Sequence, residues 1–350
     1  MKQHRSLIVV MVIFVFTAII TIAPHPTYAK EVQLTYSGFF PPNHVQSKLA
    51  EAWCKEVEKQ TEGRVKIAYY PGQTLTKATQ TYDGVLTGLS DIGFSILQYS
   101  RGRFPLMDFI NLPMGYPSGP VNTAIINEVY EKFAPAELDD VKVLYLHAHG
   151  PGVLHTKKHQ IHEMKDFKGL KFRSHGPTAD MLKNLGGTPS ALPMPELYQA
   201  LQKGVVQGGV WDFSASSDWK LAEVVDCDIV CSTISYSLGF FVVMNKDKWA
   251  MIDDSDQKII EKINAQWLPK HGKTWEEVDS RAIQYSLSLG NTIIGIPPKE
   301  AAKWRKAVQP VIDSYIEETK SKGLPGKEVI KYVEKRIKDA EKGKFESKYL

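Results

Sequence analysis

Cysteine is scarce in this 350-residue chain: there are three, and no two stand in a Cys-x-x-Cys pair. That excludes a disulfide scaffold, a zinc ribbon and a thioredoxin-type site. An excess of one charge is also missing. The 43 basic and 39 acidic residues leave a formal net charge of +4, too near balance for a nucleic-acid binder. No Gly-x-Ser-x-Gly elbow, Gly-x4-Gly-Lys-Ser/Thr loop or Gly-x-Gly-x-x-Gly turn occurs. Serine-hydrolase, P-loop and dinucleotide chemistry therefore lack support, and no cofactor is expected. What remains is ordinary globular composition, 43% hydrophobic and 23% charged with 25 Gly and 20 Pro. The length exceeds what one compact core usually holds, which favours two lobes.

The long apolar run that does exist is N-terminal. Lys2 and Arg5 precede an almost unbroken apolar stretch from Leu7 to Ala23, and Thr27-Tyr28-Ala29 supplies small residues before Lys30. This is the pattern of a secretory signal over 1–29, cleaved after Ala29, and it implies a periplasmic protein. An uncleaved anchor is the alternative, since about 17 apolar residues approach the length of a membrane span. Nothing later reaches the roughly 18 residues of a second span. Export would permit disulfides, yet Cys227 and Cys231 lie in the extended-looking Val224–Cys231. There their Cα atoms would be ~13 Å apart, too far to bridge, whereas a helix would bring them within reach. Cys54 falls among apolar helix positions and reads as core.

After the signal, strand and helix patterns alternate. Val32–Ser37 reads as a strand, and Asn43 is placed to cap a helix with an apolar stripe at Val45, Leu49, Ala52, Trp53 and Val57. Arg64–Tyr70 is a strand, Ala78–Leu89 a helix and Asp91–Ser95 a short buried strand. The rhythm resumes with strands at Val141–His149, Val153–Thr156 and Gly169–Arg173, then a helix over Thr178–Leu185. Strand Thr188–Leu192, helix Glu196–Lys203, strand Val205–Trp211, helix Ser214–Val224 and strand Gly239–Asn245 follow. From Asp253 to Gly290 the pattern stays helical, with Pro269 as a kink point, over a length that should bridge two lobes. The expectation is an α/β chain in two lobes with mixed sheets, crossing strands and a bridging helix. Lobe I takes 30–150 and 239–290, lobe II takes 151–238 and 291–320, and 321–350 forms a C-terminal helix.

Two groups of residues suggest chemistry. His147, His149, His155, His159 and His162 lie close together, with His147 and His149 on one strand face. Lacking a His-Glu-x-x-His motif, they read either as cleft-lining or surface histidines or as the ligands of a secreted metal protein or metallohydrolase. Arg173 ends its strand and leads through small turn residues into a helix. Ligands of open α/β sheets bind beyond the carboxyl ends of strands, where a planar guanidinium matches a carboxylate and a helix start adds a favourable dipole. On the residues alone, a structural ion pair is an equal alternative. Trp211 follows two glycines, which admit close backbone approach. Phe39, Tyr99, Phe213 and Tyr236 sit at other strand-to-loop junctions, and His44, His149 and His155 complete the candidate site. Any one of these aromatics taken singly is more often core than ligand wall, but several at such junctions together point to a site.

The run Gly169-Leu170-Lys171-Phe172-Arg173-Ser174 continues into Leu185-Gly186-Gly187-Thr188-Pro189. The block Pro193-Met194-Pro195-Glu196-Leu197-Tyr198-Gln199-Ala200-Leu201-Gln202 and then Val243-Met244-Asn245-Lys246 follow. With Gly63–Ile67, Tyr70-Pro71-Gly72 and Gly88–Gly93, this order resembles the solute-binding proteins of tripartite ATP-independent periplasmic (TRAP) transporters, dicarboxylate-binding type. The resemblance covers nearly the whole chain after the signal. It implies a Venus-flytrap binding protein, monomeric and without catalysis, that hands an organic acid to the membrane permease subunits. The family's strand-end arginine, which holds the ligand carboxylate, corresponds to Arg173. Two departures stand out. Trp211 occupies the place of an asparagine, and the region His149–Gly152 lacks the second arginine often found on the hinge strand. Both point away from small dicarboxylates and toward a monocarboxylate with an aromatic or bulky apolar body.

Overall fold

The computed structural model describes residues 31–350. The signal expected over 1–29 lies outside the described residues. In chain order the regular elements are β1 (Val32–Gly38), α1 (Val45–Gln60), β2 (Val65–Tyr70), α2 (Thr81–Leu86), β3 (Ile92–Ile96), α3 (Gly119–Phe133) and β4 (Lys142–Ala148). Then come β5 (Val153–Thr156), β6 (Lys171–Arg173), α4 (Pro177–Leu185), β7 (Thr188–Ser190), α5 (Met194–Gln202), β8 (Gly208–Trp211) and α6 (Phe213–Asp218). The chain ends through β9 (Cys227–Val230), β10 (Gly239–Met244), α7 (Lys246–Ala250), α8 (Asp254–Ser288), β11 (Thr292–Gly295), α9 (Pro298–Ser321) and α10 (Gly326–Glu341).

These strands form two mixed sheets, ordered β2-β1-β3-β10-β4 and β11-β9-β5-β8-β6-β7. In the first, β10 runs antiparallel between β3 and β4. In the second, β5 runs antiparallel between β8 and β9. Both inserted strands are short and buried at every position, as expected of strands covered on both faces. The chain passes between the sheets three times. Residues 149–152 join β4 to β5, residues 231–238 join β9 to β10, and α8 runs from the first sheet's side to β11.

At 35 residues α8 is about 52 Å long, with Pro269 inside it. Its first half is held to α1, where the Trp53 indole donates to Asn264 at 2.9 Å and the Trp267 indole to the Leu49 carbonyl at 3.0 Å. Its last turns are held to the second sheet, where Ser286 donates to Asp228 at 2.6 Å. Helix α9 packs on α4, and Tyr315 within it donates to the Leu106 carbonyl at 2.7 Å. Helix α10 packs on α9 and α3, fixed by a bidentate Arg336–Glu128 pair at 2.8 and 2.9 Å.

Several expectations needed correction. The α1 cap is His44 rather than Asn43: its Nδ1 accepts the Gln46 N–H at 3.2 Å. The buried face of α1 is Gln46, Ser47, Ala50, Trp53, Cys54 and Val57, rotated away from Val45 and Leu49. The rotation follows from two polar residues that find partners inside, Gln46 with His271 and Ser47 with Tyr69. Helix α3 leaves no periodic trace in the sequence because its apolar run Ala124-Ile125-Ile126 is buried all round and carries little amphipathic contrast. The helix expected at Ser214–Val224 stops at Asp218, where Lys220 adopts a left-handed φ of 57°. Cys227 and Cys231 lie on and just beyond an extended strand and are free thiols, as is buried Cys54.

The two glycines before Trp211 are explained by sheet packing. A Cβ on Gly208 would overlap the His155 carbonyl oxygen of β5, and one on Gly209 would stand 2.7 Å from the Trp211 ring and 3.0 Å from the Arg173 carbonyl. Gly208→Ala is therefore expected to cost about 1–3 kcal/mol in urea denaturation, since a backbone oxygen cannot give way. Gly295→Ala, with nothing within 4 Å of the added methyl, is the control and should unfold like the wild type within about 0.5 kcal/mol.

Candidate functional site

The three crossings converge on one cavity, about 370 Å³ of space with its solvent. The first crossing supplies His149, the second Leu238 and the third Trp275. Its glycines permit the convergence: a side chain on Gly150 would collide with the Asp279 carboxylate, and one on Gly152 with the Tyr236 ring. The ring of Tyr236 thus stands where a side chain from position 152 would have to go. A wider cleft, about 1,780 Å³ with its solvent, shares Tyr99 with the cavity but contains neither Arg173 nor Trp211.

Arg173 is the cavity's cation, and it is only 1% exposed. Its Nε donates to the Leu192 carbonyl at 3.0 Å, one terminal nitrogen to the Val210 carbonyl at 3.1 Å and the other weakly to the Tyr99 hydroxyl at 3.4 Å. Among the described residues these partners include no carboxylate. The parallel pairing of β6 with β8 sets Arg173 opposite Gly209, which brings the guanidinium under the strand that carries Trp211. A buried guanidinium held by carbonyls, with no carboxylate among its hydrogen-bond partners, is costly unless an anion joins it.

Apolar rings form most of the remaining wall. Trp211 is stacked on His155, with ring centres 4.2 Å apart and planes 3° from parallel, and its indole N–H donates to Ser216 at 3.4 Å. Phe39 stacks on Phe40 at 4.1 Å and faces Tyr99 edge-on at 5.8 Å. Trp219 lies against both phenylalanines, and Trp275 stacks on Phe240 at 5.1 Å. His44 lies on Phe40 at 4.1 Å, its Nε2 3.7 Å from the Asp218 carboxylate. Burial pulls the His44 imidazole down to about 3, so it is neutral at physiological pH.

The polar part of the wall is asymmetric. His149 Nδ1 lies 2.6 Å from the Gly150 carbonyl, which can only accept, so Nδ1 carries the proton. Burial pulls this imidazole below its usual range, with Arg173 adding to the effect and Asp212 and the Gly150 carbonyl opposing it. The ring is then neutral and Nε2 is a bare acceptor, without a partner among the described residues. Asp212, 4% exposed, also lines the cavity and accepts from the Ser214 hydroxyl. Asp279, on α8, accepts the Ser214 backbone N–H at 2.6 Å. Burial, then the neighbouring Asp212, push the Asp279 carboxyl well above its usual range, so this acid keeps its proton.

Of the expected site residues, Arg173, Trp211, Phe39, His44, Tyr99 and His149 meet at this cavity. Three do not line it. His155 lies behind Trp211, its Nδ1 2.7 Å from Asp228 and its Nε2 3.2 Å from the Trp211 carbonyl, so both nitrogens are spent on structure. Phe213 turns away into a small cluster with Val153 and Ala282. Tyr236 packs edge-on against His149 at 5.8 Å, one layer back. The expected contribution of the helix after Arg173 also fails, because Pro177, Ala179 and Asp180 of α4 face the wider cleft.

The histidine group does not assemble. His147 is sandwiched between Phe240 and His271 and accepts the Trp275 indole N–H at 3.1 Å, while His159 and His162 are exposed. Among the described residues no three His, Cys, Asp or Glu side chains are grouped to hold a metal. Sequence reasoning missed Asp212, although it directly follows Trp211, and Trp275, whose face on a 35-residue helix no local pattern reveals.

Residues 36–319 match the model of the bacterial extracellular solute-binding proteins, family 7 (DctP). Three solved structures are similar over almost the whole length. A marine metagenome TRAP solute-binding protein specific for aromatic acid ligands, in complex with metahydroxyphenylacetate, is 28% identical with a TM-score of 0.84, over 88% of this chain and 99% of its own. One from Rhodoferax ferrireducens, with copurified benzoate, is 28% identical with a TM-score of 0.83, over 89% and 99%. A third, from Bordetella bronchiseptica with bound (R)- and (S)-mandelate, is 27% identical with a TM-score of 0.82, over 88% and 99%.

Proposed function

This chain belongs to the bacterial extracellular solute-binding proteins of family 7, and from that premise we propose that it captures a monocarboxylic acid with an aromatic or bulky apolar body. It is a solute-binding component of transport and not an enzyme. Arg173 takes the ligand carboxylate, Trp211, Phe39 and Tyr99 hold the body, and His44 and His149 border it. One observation carries the reading: a buried guanidinium with no carboxylate partner faces a cavity walled by aromatic rings. An entering carboxylate neutralises that charge, and a flat ring stacked on the wall adds about 0.5–1.5 kcal/mol beyond its burial. Binding of aromatic acids by similar proteins supports the same ligand class.

In this proposal 30–150 with 239–290 and 151–238 with 291–320 act as the two lobes that close on the ligand, and 321–350 as the terminal helix. The protein is exported with cleavage after Ala29 and, as a monomer, delivers the acid to the TRAP permease subunits. A thermal-shift panel tests the ligand class. Aromatic monocarboxylates at about 100 times Kd should stabilise the protein by about 2.7 kcal/mol, a rise of several degrees, while succinate and malate should do little. Strong stabilisation by C4 dicarboxylates, with none by aromatic acids, would overturn the proposal.

A further inference from the structure

The cavity holds more than one cation and apolar walls. Opposite the demands of an anion, it also presents two hydrogen-bond acceptors, the Asp212 carboxylate and His149 Nε2. Neither is needed to hold a carboxylate. A ligand bearing only a carboxylate and a ring would leave His149 Nε2 desolvated and unpaired and Asp212 with no donor from the ligand beside that of Ser214, a penalty of the kind that lets polar sites reject analogues lacking a hydroxyl. We propose that the site selects acids that also bring a hydrogen-bond donor, a hydroxyl or ammonium group, to Asp212 and His149, and that it discriminates against unsubstituted and 2-oxo analogues. This rests on the ligand-site reading above and goes further, because it names the second functional group of the ligand.

The surroundings of Asp212 agree. Ser214 donates its hydroxyl to Asp212 and its backbone N–H to Asp279, so the serine holds the two acids side by side at the start of α6. Asp279, on α8, is pushed well above the usual carboxyl range by burial and then by Asp212. The other titratable groups around the cavity are Arg173, His44, His149 and Tyr99, with Asp218 and Tyr236 one layer out. Of these, Arg173 alone is a cation with no carboxylate among its hydrogen-bond partners, and the proposed carboxylate consumes it. A hydroxyl can donate its one proton to Asp212 or to His149 Nε2, and an ammonium has protons enough for each. A 2-oxo group offers only acceptors and would face acceptors.

Isothermal titration calorimetry with matched ligands tests this. The first series is 3-phenylpropanoate, phenylpyruvate, 3-phenyllactate and phenylalanine, which differ only at C2. The second is phenylacetate, mandelate and 3-hydroxyphenylacetate. In at least one series a donor-bearing acid should bind about tenfold or more tighter than its unsubstituted or 2-oxo counterpart. In Asp212→Asn that preference should shrink, because an amide can turn its NH2 inward: the donor-bearing acid weakens while the unsubstituted acid binds as well or better. Unsubstituted or 2-oxo acids binding as tightly as donor-bearing ones in both series would overturn the inference. So would an undiminished preference in a folded Asp212→Asn. The wild-type ratios decide the matter by themselves if that variant does not fold. Binding that depends on Arg173 yet shows no donor preference overturns this inference alone, whereas no binding by any acid overturns the aromatic-acid reading beneath it.

Discussion

Arg173→Ala is expected to weaken acid binding by about 2–5 kcal/mol while leaving the fold intact. The loss is large because the ligand carboxylate would enter a cavity of rings with its cationic partner gone. The fold should survive because two effects oppose each other in the empty protein. The Leu192 and Val210 carbonyls lose a donor, but a buried charge with no carboxylate partner is also removed. Arg173→Lys should recover only part of the affinity. An ammonium cannot reach both carbonyls and still present a planar fork to the ligand. Titration calorimetry, with urea denaturation of the empty protein as the control, separates the two terms. A folded Ala variant with wild-type affinity would remove Arg173 from the site.

Trp275→Ala should produce the largest stability loss of any single substitution considered, about 3–5 kcal/mol in urea denaturation. Trp275 is 2% exposed and packs on Phe240, His44, Phe40 and the crossing residue His149. Truncation opens a void where α8 meets the first sheet and takes away the donor to His147 Nδ1. Trp275→Phe keeps most of the packing and removes only that donor, so it should cost about 1–3 kcal/mol, the penalty for a buried acceptor left unpaired. The gap between the two variants measures packing apart from the hydrogen bond. If Trp275→Phe unfolds like the wild type, His147 does not depend on that donor. Both variants should also alter ligand affinity, because the same indole lines the cavity.

The alternation of short apolar strands with amphipathic helices was readable residue by residue, because the periods of 2 and 3.6 are local properties of the chain. That is why β5, written in the sequence as Val153–Thr156, and α8, written as Asp253–Gly290, came within a residue or two of their observed ends. Arg173 was legible for a similar reason. Its place at the end of a strand, before Ser174 and Gly176, is a statement about neighbours in sequence, and the family motif around it sharpened that statement. The two glycines ahead of Trp211 announced a close approach, though not what approached.

What approached was decided by strand order. Only the insertion of β5 antiparallel between β8 and β9 puts His155 behind Trp211 and spends both its nitrogens on Asp228 and a carbonyl. The sequence had made it a ligand contact. The five clustered histidines were likewise scattered by topology, because β4 and β5 belong to different sheets and the segment after β5 turns out to solvent. The acidic pair could not have been read at all: Asp212 and Asp279 are 67 positions apart and meet only because α8 crosses from one sheet to the other beside the start of α6. Local sequence sets which face of a strand or helix is apolar. Which face meets which depends on contacts between distant segments, and in this protein those contacts, at three crossings of the chain, make the site.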